Sequence, residues 1–545
     1  MREWLDGAVE ALRTREAYSP FVESPSRRRH PEGAHERGKA AFEARCGRHL
    51  DVGTPGTLTL GAEVSPFTAE PLGVTYTAPD IDALFERIHS AWPGWRARSP
   101  EERVDLSLRI LGAWADQCFE NAYATMHTTG QAFMLAFAGS GASSLDRGLE
   151  ALAAAWTAMD SMPRSATYSR RFGRHEATLD KRYRLRPVGV AVVFACGSYP
   201  AWNLYPALLA NLATGNPVVV KPHPDTILPV ALAVEVARRV LAEAGCDPNV
   251  LTLAPDTWSA PIGEHLLAHT ATRIVDFTGG QRFGAHLERR WAHLQVYTET
   301  AGCNAVVLEG ADDLEDALGA IAHGLSLFSA QMCTAPQNLW IPPHVRDGER
   351  LVPRDEAVER LVTAVDAHLA DPSHAAAICG ALHSPATLQA MSALRGADLI
   401  REGTPYAHPE FPRARTATPL IRRLSAEARA LAQREHFGPM SFVIEAESPA
   451  AALAGAADDA RRHGAIASYA YVSPDRVAAT AAAFWDAGAS VGINLVRQRP
   501  MNFTAAFSDY HVTGLNPAGT ACLTDPAFVA RRFRVVQSKV ERTIG

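Results

Sequence analysis

Cys333, in Ser-Ala-Gln-Met-Cys-Thr-Ala (329–335), follows Glu299, in Tyr-Thr-Glu-Thr-Ala-Gly (297–302), by 34 residues. A thiol is a nucleophile and a carboxylate is a base. The chemistry that needs both on separate segments is the oxidation of an aldehyde through an enzyme-bound thioester. A thiolate adds to the carbonyl and turns the aldehyde into a hydride donor; water activated by the base then releases the acid. A short helix expected over 333–336, ahead of a strand at 337–341, would aim backbone N–H groups at the thiolate and the oxyanion. Gln331 sits two residues before the thiol.

Other residues have types suited to a phosphorylated cofactor. Lys221, in Val-Val-Val-Lys-Pro (218–222), ends a buried strand and must project toward solvent or an anion. Thr278, Gly279, Gly280 and Gly284, in Phe-Thr-Gly-Gly-Gln-Arg-Phe-Gly (277–284), would let the N-terminus of a helix over 281–291 approach a pyrophosphate. No metal is expected: His265/His269 and His286/His293 lie at or near helical spacing, but no Cys, Asp or Glu completes a ligand set.

The elements that must hold these residues alternate. Strands are expected at 188–195, 217–221, 249–253, 273–277 and 294–298, separated by helices at 202–213, 227–244, 261–269 and 281–291. That pattern means βαβ units and a parallel sheet. A second αβ series has strands at 304–308, 337–341, 440–445 and 490–494, with helices at 313–328, 355–369, 449–462 and 474–487. Before both lie amphipathic helices, with Ile81, Leu84, Phe85, Ile88 and Trp92 at helical spacing over 80–95 and a similar pattern over 101–120. Residues 164–186 turn basic and β-friendly and read as a hairpin, either an anion-binding patch or an oligomer interface with solvated arginines. Residues 1–62 read as an extension with helices near 2–14 and 33–45. The alternating segment Arg531–Val540 is suited to pairing with a sheet edge.

At 545 residues and 47% hydrophobic, the chain has material for a large core in two or three structural units. A net charge of −6 with interspersed signs excludes a nucleic-acid polyanion as the expected partner. The longest apolar run, about Val188–Cys196, is far short of the roughly 20 residues a membrane span needs. No signal peptide is recognisable at the N-terminus. Eight cysteines without paired spacing read as reduced thiols, so a soluble cytoplasmic protein is expected.

Together these motifs resemble the aldehyde dehydrogenase superfamily, over about 63–500, from Val64-Ser65-Pro66-Phe67-Thr68 to Gly492-Ile493-Asn494. The resemblance implies an α/β fold of a Rossmann-type cofactor domain, an α/β catalytic domain and a small β oligomerisation hairpin, here with an N-terminal helical extension. The expected division is 1–62 extension, 63–298 dinucleotide-binding (hairpin 164–186), 299–500 catalytic and 501–545 oligomerisation. It implies Cys333 as nucleophile and Glu299, in a motif degraded from Glu-Leu-Gly-Gly to Glu-Thr-Ala-Gly, as the deacylating base. It places Lys221 against the cofactor ribose and phosphate. Glu435 and Phe437, in Arg-Glu-His-Phe-Gly-Pro (434–439), match the residues beside the nicotinamide ribose.

Two departures from the family pattern matter. Ser198 stands where an asparagine usually binds the oxyanion; Asn203, five residues later, is the other candidate. Losing one oxyanion donor costs on the order of 10²–10³ in rate. Pro224 stands where NAD-preferring members carry a ribose-binding glutamate, so Lys221 and His223 could face a 2′-phosphate; NADP is favoured, with NAD also admissible.

In their details these motifs resemble more closely the PaaN-type phenylacetate degradation branch, with BoxD-like semialdehyde dehydrogenases of benzoyl-CoA degradation nearby. It rests on Gly197-Ser198-Tyr199-Pro200-Ala201-Trp202-Asn203, Val220-Lys221-Pro222-His223-Pro224 and Ala505-Ala506-Phe507-Ser508-Asp509-Tyr510-His511. That branch implies a CoA-linked semialdehyde as substrate, usually with NADP; the basic hairpin and the alternating C-terminal segment favour at least a dimer, a homodimer or dimer of dimers. Two rivals stay open: an acylating, CoA-dependent dehydrogenase, against which Glu299 argues, and a cofactor-binding pseudoenzyme or assembly partner.

Overall fold

The computed structural model describes residues 1–300, 302–396, 398–496, 505–510 and 526–542, with the side chains of Asn203 and Pro526 outside the described set. Two parallel sheets organise it. The first is built from short Val-rich runs buried on both faces, as a sheet covered by helices on each side requires. Its strands are β1 (Val190–Phe194), β2 (Val218–Lys221), β3 (Leu251–Leu253), β4 (Thr272–Gly279) and β5 (Gln295–Thr300). They pair in the order β3-β2-β1-β4-β5, all parallel. The chain therefore moves outward from β1 in one direction, returns, and continues from β4 in the other. The crevice beyond the carboxyl ends of such a sheet, at that reversal, is where doubly wound folds bind ligands.

Helix α1 (Pro200–Ala213) follows β1, α2 (Leu228–Glu243) follows β2, α3 (Gly263–Ala268) follows β3 and α4 (Gln281–Arg290) joins β4 to β5. Leu208, Leu212, Leu228, Val234 and Leu241 of α1 and α2 are fully buried in the largest core cluster. Leu5, Ala8 and Ala11 of the first helix, Arg2–Thr14, join the same cluster, so the N-terminal residues wrap the core.

The second sheet has strands β6 (Ala305–Leu308), β7 (Asn338–Ile341), β8 (Leu399–Arg401), β9 (Leu420–Ser425), β10 (Met440–Glu445), β11 (Ala467–Tyr471) and β12 (Ser490–Ile493). Its order is β8-β9-β10-β7-β6-β11-β12, with only the β8–β9 pair antiparallel. β8 and β9 fall in a stretch where the sequence pattern predicts no strand. The helix expected over 101–120 is two helices, Pro100–Asp116 and Cys118–Thr129, the first opened by a capping box of Ser99 and Glu102.

The basic segment forms the expected hairpin, Ser165–Phe172 against His175–Pro187, and Phe533–Glu541 adds a third antiparallel strand beside its long arm. Arg532 anchors that last strand. It is fully buried and donates to both oxygens of Asp276 on β4 (2.6 and 2.8 Å). Among the described residues no helix is long and apolar enough to cross a membrane.

Candidate active site

The carboxyl ends of β1, β2, β3 and β4 open onto one cavity of about 1020 Å³, together with Glu299 at the end of β5. The opposite wall comes from the segment between the second sheet's first two strands, which carries Cys333, and from the loop before β10, which carries Glu435 and Phe437. Of the residues expected from sequence, Cys333, Glu299, Ser198, Lys221, His223, Pro224, Thr278, Gly279, Gly280, Glu435 and Phe437 all line this cavity. Gly284 does not. A Cβ there would meet Thr300 Cγ2 at 2.6 Å, so its role is to let α4 pack against β5. The backbone of Asn203 lies in α1, and its side chain lies outside the described residues.

Cys333 does not sit on a helix. The helix expected over 333–336 is absent: Cys333 lies in a turn, and β7 begins at Asn338. Before it, Phe328, Ser329 and Ala330 are three consecutive left-handed residues (φ 51°, 48° and 51°). Side chains without glycine's freedom resist that conformation by roughly 1–2 kcal/mol each, so neighbouring groups must hold it. Ser329 Oγ donates to the carbonyls of Cys379 and Ala417 (3.2 Å each). Gln331 donates to the carbonyls of Phe328 and Ala381 (3.0 Å each) and accepts from His383 N (2.8 Å). After the thiol, buried Asn304 donates to the carbonyls of Cys333 (2.7 Å) and Ala335 (2.9 Å). Its own carbonyl oxygen accepts from Ile466 and Ala467 on the β11 side. Asn304 and Gln331 thus hold the backbone of the Cys333 turn from both sides, and Asn304 carries no local sequence signal for that role.

Burial pushes the Cys333 thiol well above its ordinary pKa, and the negative charges of Glu299, Cys196 and Glu435 push the same way. The thiol is therefore protonated at neutral pH, with carboxylates near enough to feel its charge. Glu299 is 1% exposed, paired across β4–β5 with Thr278. Gly302, the one glycine kept from the family motif, has a steric reason: a Cβ there would meet the Gly464 carbonyl oxygen at 2.1 Å. Burial raises Glu435 to about 7. Ser198 lines the cavity, and Gln131 Nε2 donates to its carbonyl (2.7 Å).

Toward the β2–β3 end, Lys221 is not a free cation. Its ammonium pairs with Asp256 (2.5 Å) and donates to the Pro222 carbonyl (3.0 Å). Asp256 is 2% exposed, and its other oxygen accepts from Ile262 N (3.1 Å). Enclosure, then His383 and Lys221, lower His223 to about 3, so it offers hydrogen bonds rather than charge. At the β4–α4 turn, a Cβ on Gly280 would meet nothing within 4 Å, so a ligand's phosphate has a clear approach to the first N–H groups of α4. A cavity of this size, apolar with a few convergent polar groups, fits a dinucleotide with a small substrate beside the thiol.

The Aldehyde dehydrogenase family model matches residues 58–515. The chain belongs to the aldehyde dehydrogenase family. An NAD-dependent aldehyde dehydrogenase structure from Burkholderia multivorans is 39% identical, with a TM-score of 0.96 over 100% of this chain and 98% of that one. A 1-pyrroline-5-carboxylate dehydrogenase structure from Thermus thermophilus, 17% identical with a TM-score of 0.74 over 97% of this chain and 100% of that one, shares the fold. Among curated relatives, the 1-pyrroline-5-carboxylate dehydrogenase of Staphylococcus epidermidis is 27% identical over 50% of this chain and 51% of its own length. The chain thus spans about half the length of that relative.

Ser198, which stands where the family pattern has an asparagine, invites a direct test. Ser198→Asn is expected to raise kcat by about tenfold or more if the hydroxyl reaches the oxyanion poorly. An unchanged kcat in steady-state assays would mean that backbone donors suffice.

Proposed function

We propose that this protein oxidises an aldehyde to a carboxylic acid, with Cys333 as nucleophile, Glu299 as the base that takes a proton from the water that releases the acid, and Ser198 near the oxyanion. The observation that carries the reading is the convergence of Cys333 and Glu299, from two different sheets, on one cavity whose other end suits a dinucleotide. A bound oxidised nicotinamide would accept the hydride. Lys221, Thr278, Gly279, Gly280, Glu435 and Phe437 hold that cofactor, in a dinucleotide unit over 63–298 that faces a catalytic unit over 299–500.

The choice between dinucleotides turns on two positions. Pro224 puts no carboxylate at the usual ribose contact, which favours NADP; Asp256 puts one beside Lys221, which favours NAD. The likeness to an NAD-dependent structure at 39% identity supports acceptance of NAD alongside NADP. Asp256→Asn is expected to raise kcat/KM for NADP relative to NAD by at least about tenfold, because a carboxylate repels a 2′-phosphate. An unchanged ratio removes Asp256 from the ribose site.

The aldehyde we propose is a CoA-linked semialdehyde of aromatic-CoA breakdown, a reading supported by the Gly197–Asn203 and Val220–Pro224 motifs. The names of the curated relatives favour a second reading, a small amino-acid-derived semialdehyde. Dinucleotide reduction across CoA-linked and free semialdehydes decides between them. Turnover of free semialdehydes alone would remove the CoA-linked reading.

A further inference from the structure

The cavity wall between Lys221 and the Cys333 loop carries a cluster that the aldehyde chemistry does not use. His223, Asp225 and His383 each offer one ligand atom, and these atoms lie within 4.8 Å of one another. His223 Nδ1 is 4.0 Å from Asp225 Oδ2, and the two imidazole rings stand 5.3 Å apart. Gly197 leaves the space between them open: a Cβ there would come to 2.8 Å from His383 Nε2 and 3.1 Å from His223 Nδ1.

The surrounding bonds orient these atoms as a metal centre requires. His383 Nδ1 lies 3.1 Å from the Thr128 carbonyl, which makes Nδ1 the protonated nitrogen. Its Nε2 lone pair is buried with no hydrogen-bond partner. Metal-bound histidines characteristically donate their other N–H in this way. Trp258 Nε1 donates to Asp225 Oδ1 (3.0 Å), leaving Oδ2 on the His223 side. An anion is the other ligand to weigh. Asp225 Oδ2 faces the same space, so an anion there would meet a carboxylate. Of the neighbouring cations, Arg415 is turned to the carbonyls of Leu382 and His383 (2.9 Å each) and Lys221 is paired with Asp256.

We propose that His223 Nδ1, Asp225 Oδ2 and His383 Nε2 bind a divalent transition cation of the Zn²⁺ class, with its open positions toward the cavity. Binding draws the three atoms in to about 2.0–2.2 Å from the ion and displaces the 3.2 Å bond from Asp225 N–H to Nδ1. Because His223 lies between Lys221 and Pro224, the ion competes with the dinucleotide; this consequence rests on the proposed function, but the binding itself does not.

The test titrates Co²⁺ into the cofactor-free full chain and follows its visible ligand-field absorption, which needs no turnover. One equivalent is expected to bind, at least about tenfold more weakly in His383→Ala and in Asp225→Asn. The Asp225 side chain is 40% exposed, so the second variant should fold even where the first does not. Cys196 and Cys333 share the cavity, and the Cys196→Ser/Cys333→Ser variant is expected to keep the bands. Bands unchanged in both His383→Ala and Asp225→Asn, or lost with the two thiols, overturn the site. In the active enzyme Zn²⁺ is expected to raise the dinucleotide KM in native protein but not in Asp225→Asn. Zn²⁺ lowering kcat alone in both proteins would point to the Cys333 thiol instead.

Discussion

Cys333→Ala is expected to abolish aldehyde-dependent dinucleotide reduction, with kcat down by on the order of 10⁴ or more, while dinucleotide affinity stays unchanged. The alanine removes the sulfur proposed to form the thioester and leaves the proposed cofactor contacts in place, because those come from β2, β4, α4 and the loop before β10. The turn itself is held by Asn304 and Gln331 through backbone carbonyls and not through the sulfur, so the loop should keep its shape. Absorbance of the reduced cofactor measures the first part and calorimetric titration the second. Residual turnover within about tenfold of native would exclude Cys333 as the nucleophile and point to Cys196, the other thiol lining the cavity. Loss of dinucleotide binding together with activity would instead make the cysteine a packing residue.

Much of this arrangement is legible in the sequence because it depends on local periodicity. Val218–Val220 and Val190–Val193 read as buried strands, and the helices that follow have the right lengths, so the order of elements and the cleft at their ends follow. Cys333, Glu299 and Glu435 are found by residue type and by their likeness to family motifs. What sequence reasoning misses depends on contacts between distant segments. Asp256 follows β3 much as Lys221 ends β2, and only the pairing of those strands brings the two within 2.5 Å. Asn304 reaches the nucleophile turn across 29 residues. The helix expected over 333–336 fails because three left-handed residues and Pro336 set the chain on another path, held by bonds from the Ser329 and Gln331 side chains to backbone groups of the 379–417 region. Gly284 reads as a phosphate contact from its place in the turn, yet its neighbour is Thr300.

Glu299→Gln is expected to give one rapid equivalent of reduced dinucleotide per active site and then a steady state lower by on the order of 10²–10⁴. The amide keeps the shape of the β5 end but accepts no proton, so the acyl group formed on Cys333 waits for a water that nothing activates. Rapid-mixing absorbance sees the burst, and a hydroxylamine rescue identifies its cause, because an added strong nucleophile attacks the thioester without needing the base. Glu435 is the rival for this role. Its carboxyl is raised to about 7 by burial, and its charge also reaches the Cys333 thiol. The two assignments separate cleanly: if Glu435 activates the water, Glu299→Gln turns over undiminished and Glu435→Gln shows the stalled burst. The position of Glu299 favours the first outcome. It is 1% exposed at the end of β5, and its charge acts on the Cys333 thiol more strongly than that of Glu435 does.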